Sequence, residues 1–139
     1  MAINTQFSIA VHVMAALAYG GDRETTSAEL AKCVNTSPSF VRRGLARLSK
    51  AGLVQTTTGQ NGSCRLAREA KKITLRDVYQ AVGAPKAFAI HGYREQKGCA
   101  VSCHIKAALE NALGKAQKGL ESSLDDITLA DVLKAIPRG

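Results

Sequence analysis

The chain has 139 residues, of which 45% are hydrophobic and 4% aromatic, with no Trp. That allows one compact domain, or a small domain with an assembly element, around a core of Ala, Leu, Val and Ile. The 19 Lys and Arg against 11 Asp and Glu leave a net charge of +8 and a pI near 9.6, which favours a polyanionic partner.

The charge is uneven: residues 1–72 hold ten basic and four acidic side chains, a net +6, and residues 73–139 hold nine and seven, a net +2. The first half is therefore the one expected to meet phosphate. The apolar stretch "FSIAVHVMAALAYGG" is broken by Ser8 and His12 and lacks a basic flank. It resembles no signal peptide and falls short of the roughly 18 apolar residues of a spanning helix. A cytoplasmic chain with no membrane partner is expected. In that compartment four cysteines point to thiols, ligands or sensors rather than to a disulfide framework.

Ile9, Val13, Ala16 and Leu17 recur at helical spacing, so residues 5–19 are predicted as a helix capped by Thr5 and stopped at Gly20-Gly21. Thr26-Ser27-Ala28-Glu29 has the hydroxyl and carboxylate of a capping box, opening a short helix that ends near Val34. After Asn35-Thr36, Ser37 and Pro38 are an N-cap and a first-turn proline, and the next helix runs to about Ala51 with Gly52 as its stop.

A short helix, a tight turn and a longer helix make a helix-turn-helix. Val41, Leu45 and Leu48 share one face of the second helix, while Ser39, Arg42, Arg43 and Arg47 lie off it. Such a helix suits a major groove. "LVQTTTGQNGSCRLAR" then alternates like a β-hairpin turning at Gly59-Gln60-Asn61-Gly62, which places a two-stranded wing after the helix-turn-helix.

Thr74 with Asp77 opens a further helix with Val78 and Val82 facing inward, and "GAPKAFAIHGYREQKG" is a loop. From Ser102 to about Leu124, Ile105, Leu109, Ala112, Ala116 and Leu120 form a seam able to pair with a second copy. Thr128 caps a last helix ending at Ile136-Pro137. The predicted organisation is a winged helix-turn-helix over 1–82, a sensor loop over 83–101, and a dimerisation helix with a C-terminal helix over 102–139. The fold class is mainly α.

Four stretches, "SAELAKCVNTSPSFVRRGLARLSKAGLV", "GQNGSCRLAR", "ITLRDVYQAV" and "GCAVSCHIK", make the chain resemble the Rrf-two family of bacterial winged-helix transcription regulators over essentially its whole length. "VNTSPSFVRR" and the cysteine followed by Ala-Val resemble its YwnA-like subgroup. The resemblance implies a homodimer that reads a palindromic operator in double-stranded DNA, with each long helix packed on its mate and the loop before it holding the sensing group. It also implies that Cys33 of one chain approaches Cys99 of the other. Iron–sulfur members carry three cysteines in that loop, where this chain has Cys99 and Cys103.

The candidate DNA-binding residues are Ser37, Ser39, Phe40, Arg42, Arg43, Arg47, Gln60, Asn61 and Arg65. Arg43 is the choice for a bidentate guanine contact, and Arg42 and Arg47 equally suit phosphate. Cys99, before a helix and near Lys97 and His104, sits where a thiolate is favoured, so Cys99 and Cys33 are the candidate redox pair. The rival is a metal or iron–sulfur site at Cys99, Cys103 and His104, although a closed zinc site needs four ligands. No phosphate-binding glycine motif or nucleophile with base and orienter supports an enzyme. The expected function is a homodimeric DNA-binding regulator, a repressor, that senses thiol oxidation and holds no cofactor. A thiol-dependent enzyme, or a regulator acting by protein contact alone, is the alternative of another class.

Overall fold

Three of the six α-helices among the described residues begin at a threonine whose hydroxyl accepts the amide of a residue three positions on, while that residue's carboxylate accepts the threonine's own amide: Thr26 with Glu29, Thr74 with Asp77, and Thr128 with Asp131. Each box satisfies two donors that a helix start leaves without partners. The computed structural model describes residues 5–21, 23–57 and 62–137.

The chain runs α1 (Gln6–Tyr19), β1 (Thr25–Thr26), α2 (Ser27–Val34), α3 (Pro38–Lys50), β2 (Val54–Thr56), β3 (Ser63–Leu66), α4 (Leu75–Ala81), α5 (Ala100–Asp125) and α6 (Leu129–Lys134). A single 3-10 turn, Ala70–Lys72, precedes α4. The helix-turn-helix is therefore α2 and α3. Between them Asn35 takes the left-handed backbone conformation, φ 62°, which asparagine tolerates better than most residues. α3 ends as its glycine predicts. Gly52 has φ 78°, its amide donates to Ser49 O, and the Leu53 amide donates to Leu48 O at 2.9 Å, with Leu48 and Leu53 both buried.

The wing differs from the expectation in one strand. β2 and β3 pair antiparallel, with Gln55 opposite Arg65, and β1 adds to the other edge of β3, with Thr25 opposite Cys64. The sheet is three-stranded, in the order β1-β3-β2. Two threonines between a loop and a capping box give no alternation, so only the tertiary position of β3 makes them a strand.

The core is filled by Met14 and Leu17 of α1, Leu30 of α2, Val41 and Leu48 of α3, Leu53, Ile73, Val78 and Val82, and Leu129 of α6. Each such side chain contributes about 1.5–3 kcal/mol. α6 packs on α1, and its start is tied to the start of α4 by Leu75 N to Ile127 O and Leu129 N to Ile73 O, each 2.8 Å. The last helix thus completes the winged domain.

α5 begins at Ala100, two residues before the expected start, because Cys99 serves as its N-cap. Of its 26 residues Gln117 alone is buried, and α5 packs mainly against α4. In the predicted seam Ile105, Leu109 and Leu120 are half-buried, while Ala112 and Ala116 are exposed. A helix this long would gain little from one chain's packing, and helical stability usually comes from burying an apolar face.

Candidate nucleic-acid interface

α3 carries the candidate groups because its sequence divides the helix. Val41, Leu45 and Leu48 are buried, and Ser39, Arg42, Arg43 and Arg47 are exposed. Ser37 Oγ accepts the Phe40 amide at 3.2 Å, so its hydroxyl is spent on the helix start while its exposed proton can still reach a phosphate. Phe40 is half-buried against the first turn of α1, beside Gln6, Ile9 and Gly44.

The two arginines four apart have different surroundings. The Arg43 guanidinium lies 5.6 Å from the Phe40 ring centroid, a cation–π contact that orients it at the mouth of a cleft of about 250 Å³ lined also by Thr5, Gln6, Gly44 and Arg47. Arg47 Nη1 donates to the Val82 carbonyl, the C-cap of α4, at 2.9 Å. It tethers α3 to α4, a partner 35 residues away that spacing could not reveal. On the wing, Arg65 Nε donates to Gln55 Oε1 at 3.1 Å across the β2–β3 pair. Gln60 and Asn61 lie outside the described residues.

A long loop, residues 83–99, joins this head to α5 and is latched at both ends. Gln117 Oε1 accepts the Ala87 amide at 2.9 Å, Gln117 Nε2 donates to the Tyr79 hydroxyl at 2.9 Å, and that hydroxyl donates to Pro85 O at 2.6 Å. Near α5 the Gln96 amide donates to Ser102 Oγ at 2.8 Å, and the Tyr93 hydroxyl donates to Ser102 O.

Chain comparison agrees with this architecture. The family model "Rrf2: Iron-dependent Transcriptional regulator" matches residues 3–135. This chain belongs to the Rrf2 family. It is similar to the Bacillus subtilis protein named YwnA, by name an HTH-type transcriptional regulator, at 32% identity over 132 residues, covering 94% of this chain and 96% of that one. A solved structure of a Lactobacillus plantarum protein named as a transcriptional regulator superposes with a TM-score of 0.79 at 26% identity, covering 94% of this chain and 88% of the other. CymR of Bacillus subtilis, titled the global cysteine regulator, superposes with a TM-score of 0.71 over 99% of both chains. At 22% identity that likeness concerns the fold alone.

The Rrf2 description names iron, so the donor set of this Rrf2 chain matters. Cys99 Sγ accepts the Ser102 amide at 3.4 Å, Cys103 Sγ donates to Gln96 O at 3.6 Å, and His104 is exposed. Among the described residues no three His, Cys, Asp or Glu side chains gather where they could hold a metal ion. Among the described residues Cys99, Cys103 and His104 therefore do not by themselves supply the four ligands of a closed tetrahedral site or an iron–sulfur cluster.

Of the four thiols, Cys64 is buried and donates to Thr25 O at 3.0 Å. Burial, with the charge of Glu29 adding to it, pushes the Cys64 thiol up to about 11 and keeps it protonated. Cys33 and Cys99 are exposed. His12 stands beside Cys33, with Nε2 3.7 Å from Sγ. Packing of α1 on α2 joins residues 21 apart, and neither helix pattern signals it.

Proposed function

We propose that this Rrf2 chain is a cytoplasmic homodimer that binds a palindromic operator and represses transcription, and that its signal enters through Cys99 and Cys33 with no resident metal. The observation that carries the DNA-binding part is α3 itself, which buries Val41, Leu45 and Leu48 and turns Ser39, Arg42 and Arg43 outward from a basic head. Arg43 is the base-reading residue, and Arg42, Arg65 and the helix start meet phosphate.

Dimerisation is supported by a 26-residue helix with one buried side chain, by Val101 on that helix, 68% exposed, and by Phe88 in the loop before it, 63% exposed. Apolar surface of this kind on a regulator suits a second copy of the same helix. Cys99 supports the sensing part. Its sulfur is exposed and accepts the Ser102 amide at the start of α5. A link from Cys99 to Cys33 of the mate would fix the two heads and change half-site spacing.

Fluorescence anisotropy on operator and random duplexes across a salt series tests the binding. Affinity falls steeply with salt, and Arg43→Ala with Arg47→Ala removes operator preference. Operator binding that survives both substitutions unchanged refutes α3 as the reading helix. Sedimentation gives a dimer. Non-reducing gels of oxidised protein give a dimer band lost in both Cys33→Ser and Cys99→Ser.

A further inference from the structure

The described cysteines differ in what each sulfur faces. Cys64 donates to a carbonyl in the core, Cys103 donates to Gln96 O, and Cys99 accepts the amide that closes the start of α5. Cys33 instead faces an imidazole, with Sγ 3.7 Å from Nε2 of His12, and both side chains are exposed.

Cys33 is in the last turn of α2, where the helix carbonyls oppose negative charge on sulfur. A base at Nε2 can hold the proton that Sγ gives up, and the resulting positive charge offsets those carbonyls. A nucleophile with a base in reach is the arrangement that activates a thiol.

The elements packed on α1 and α2 carry charges of both signs, α4 with Arg76 and Asp77 and α6 with Asp131 and Lys134. α2 holds Lys32 and Glu29, and Glu29 is engaged by Arg23 at 2.6 Å. α3 holds Arg42, Arg43, Arg47 and Lys50 with no acidic residue, and β1 holds no charge. Residues 1–72 carry a net +6.

We propose that Cys33 and His12 form a nucleophilic pair that exchanges with small soluble disulfides, making Cys33 a site of reversible mixed-disulfide modification. The proposal rests on the reading of Cys33 as a sensing thiol and adds its base and its reagent. The Sγ proton passes to His12 Nε2, and Sγ attacks one sulfur of the disulfide. The new S–S bond forms as the old one breaks, and the departing thiolate takes the proton back from His12. Cys33 is oxidised and the departing thiol is reduced, so the disulfide is itself the oxidant.

The test uses full-length protein carrying Cys99→Ser and Cys103→Ser, with and without His12→Gln. Oxidised glutathione, which is anionic, and cystamine, which is cationic, are followed by intact mass and peptide mapping across a pH series. The expected result is an adduct on Cys33 from either disulfide, reversed by reductant. His12→Gln slows it several-fold near neutrality and removes the imidazole step from the rate–pH profile, with the unfolding midpoint unchanged. Equal rates with and without His12, or no adduct at Cys33, overturns the proposal. Operator affinity of the reduced protein, measured separately, identifies a failure of the DNA-binding reading. A Cys33 adduct in native protein that forms no intersubunit disulfide sinks the pairing with Cys99 and leaves this site standing.

Discussion

Arg47→Ala separates two uses of an arginine on α3. Its Nη1 donates to Val82 O at 2.9 Å in a half-buried setting, and a hydrogen bond from a charged donor contributes about 1.5–3 kcal/mol. The rest of the side chain is exposed, so water can reach the freed groups and the loss falls just below that range, about 1–1.5 kcal/mol. For a chain of this size each kcal/mol moves the midpoint by about 3–5 °C, so the expected fall is about 3–7 °C. Arg43→Ala removes only an exposed cation–π contact of about 0.5–1 kcal/mol. It should leave the fold nearly intact while costing about 1–3 kcal/mol of base discrimination, roughly 5- to 150-fold. Thermal unfolding paired with anisotropy on operator and scrambled duplexes reads both quantities on each variant. Arg47→Ala is expected to lower the midpoint and weaken all duplexes alike. An Arg47→Ala protein with an unchanged midpoint and abolished operator preference would refute the assignment of tether and reader.

Gln117→Leu removes the donor to Tyr79 and the acceptor of the Ala87 amide; a loss of about 1–3 kcal/mol in urea unfolding is expected, with faster amide exchange at Ala87. Cys64 is expected to stay unmodified by thiol reagents in native protein until denaturant is added. Because its folded value, about 11, is above the roughly 8.5 of a free thiol, its contribution is complete below pH ~8.5 and is lost as pH rises through 11, visible as alkaline destabilisation that Cys64→Ala lacks. Asp131 is held below the usual carboxylate range first by its hydrogen bonds with Thr128. Its contribution is present above the unfolded value and lost as pH falls through the folded one, so Asp131→Asn should reduce the acid sensitivity of α6 in circular dichroism.

The helix-turn-helix was legible because its signals are local. Thr26 with Glu29, Ser37-Pro38, and Gly52 each satisfy or terminate a helix within four residues. The apolar period of α3 names the buried face directly. β1 was not legible, because a two-residue strand exists only through its partner β3. The packing of α6 is illegible for a similar reason: Leu129 follows α5 in sequence but reaches the core of the head. At the interface, residue types pointed to arginines but not to their division of labour.

The sequence by itself determined a basic, mostly helical chain, the boundaries of α3, the resemblance to a regulator family and the identity of the candidate thiols. These follow from charge, periodicity and capping, which act over a few residues or over composition. Only the tertiary structure decided that Arg47 tethers α4, that Gln117 latches the loop, that Cys64 is sealed, and that His12 stands beside Cys33. Those contacts join residues 21 to 39 positions apart, or depend on burial. What a side chain meets across a helix interface is set by how whole elements pack, and no local pattern encodes that.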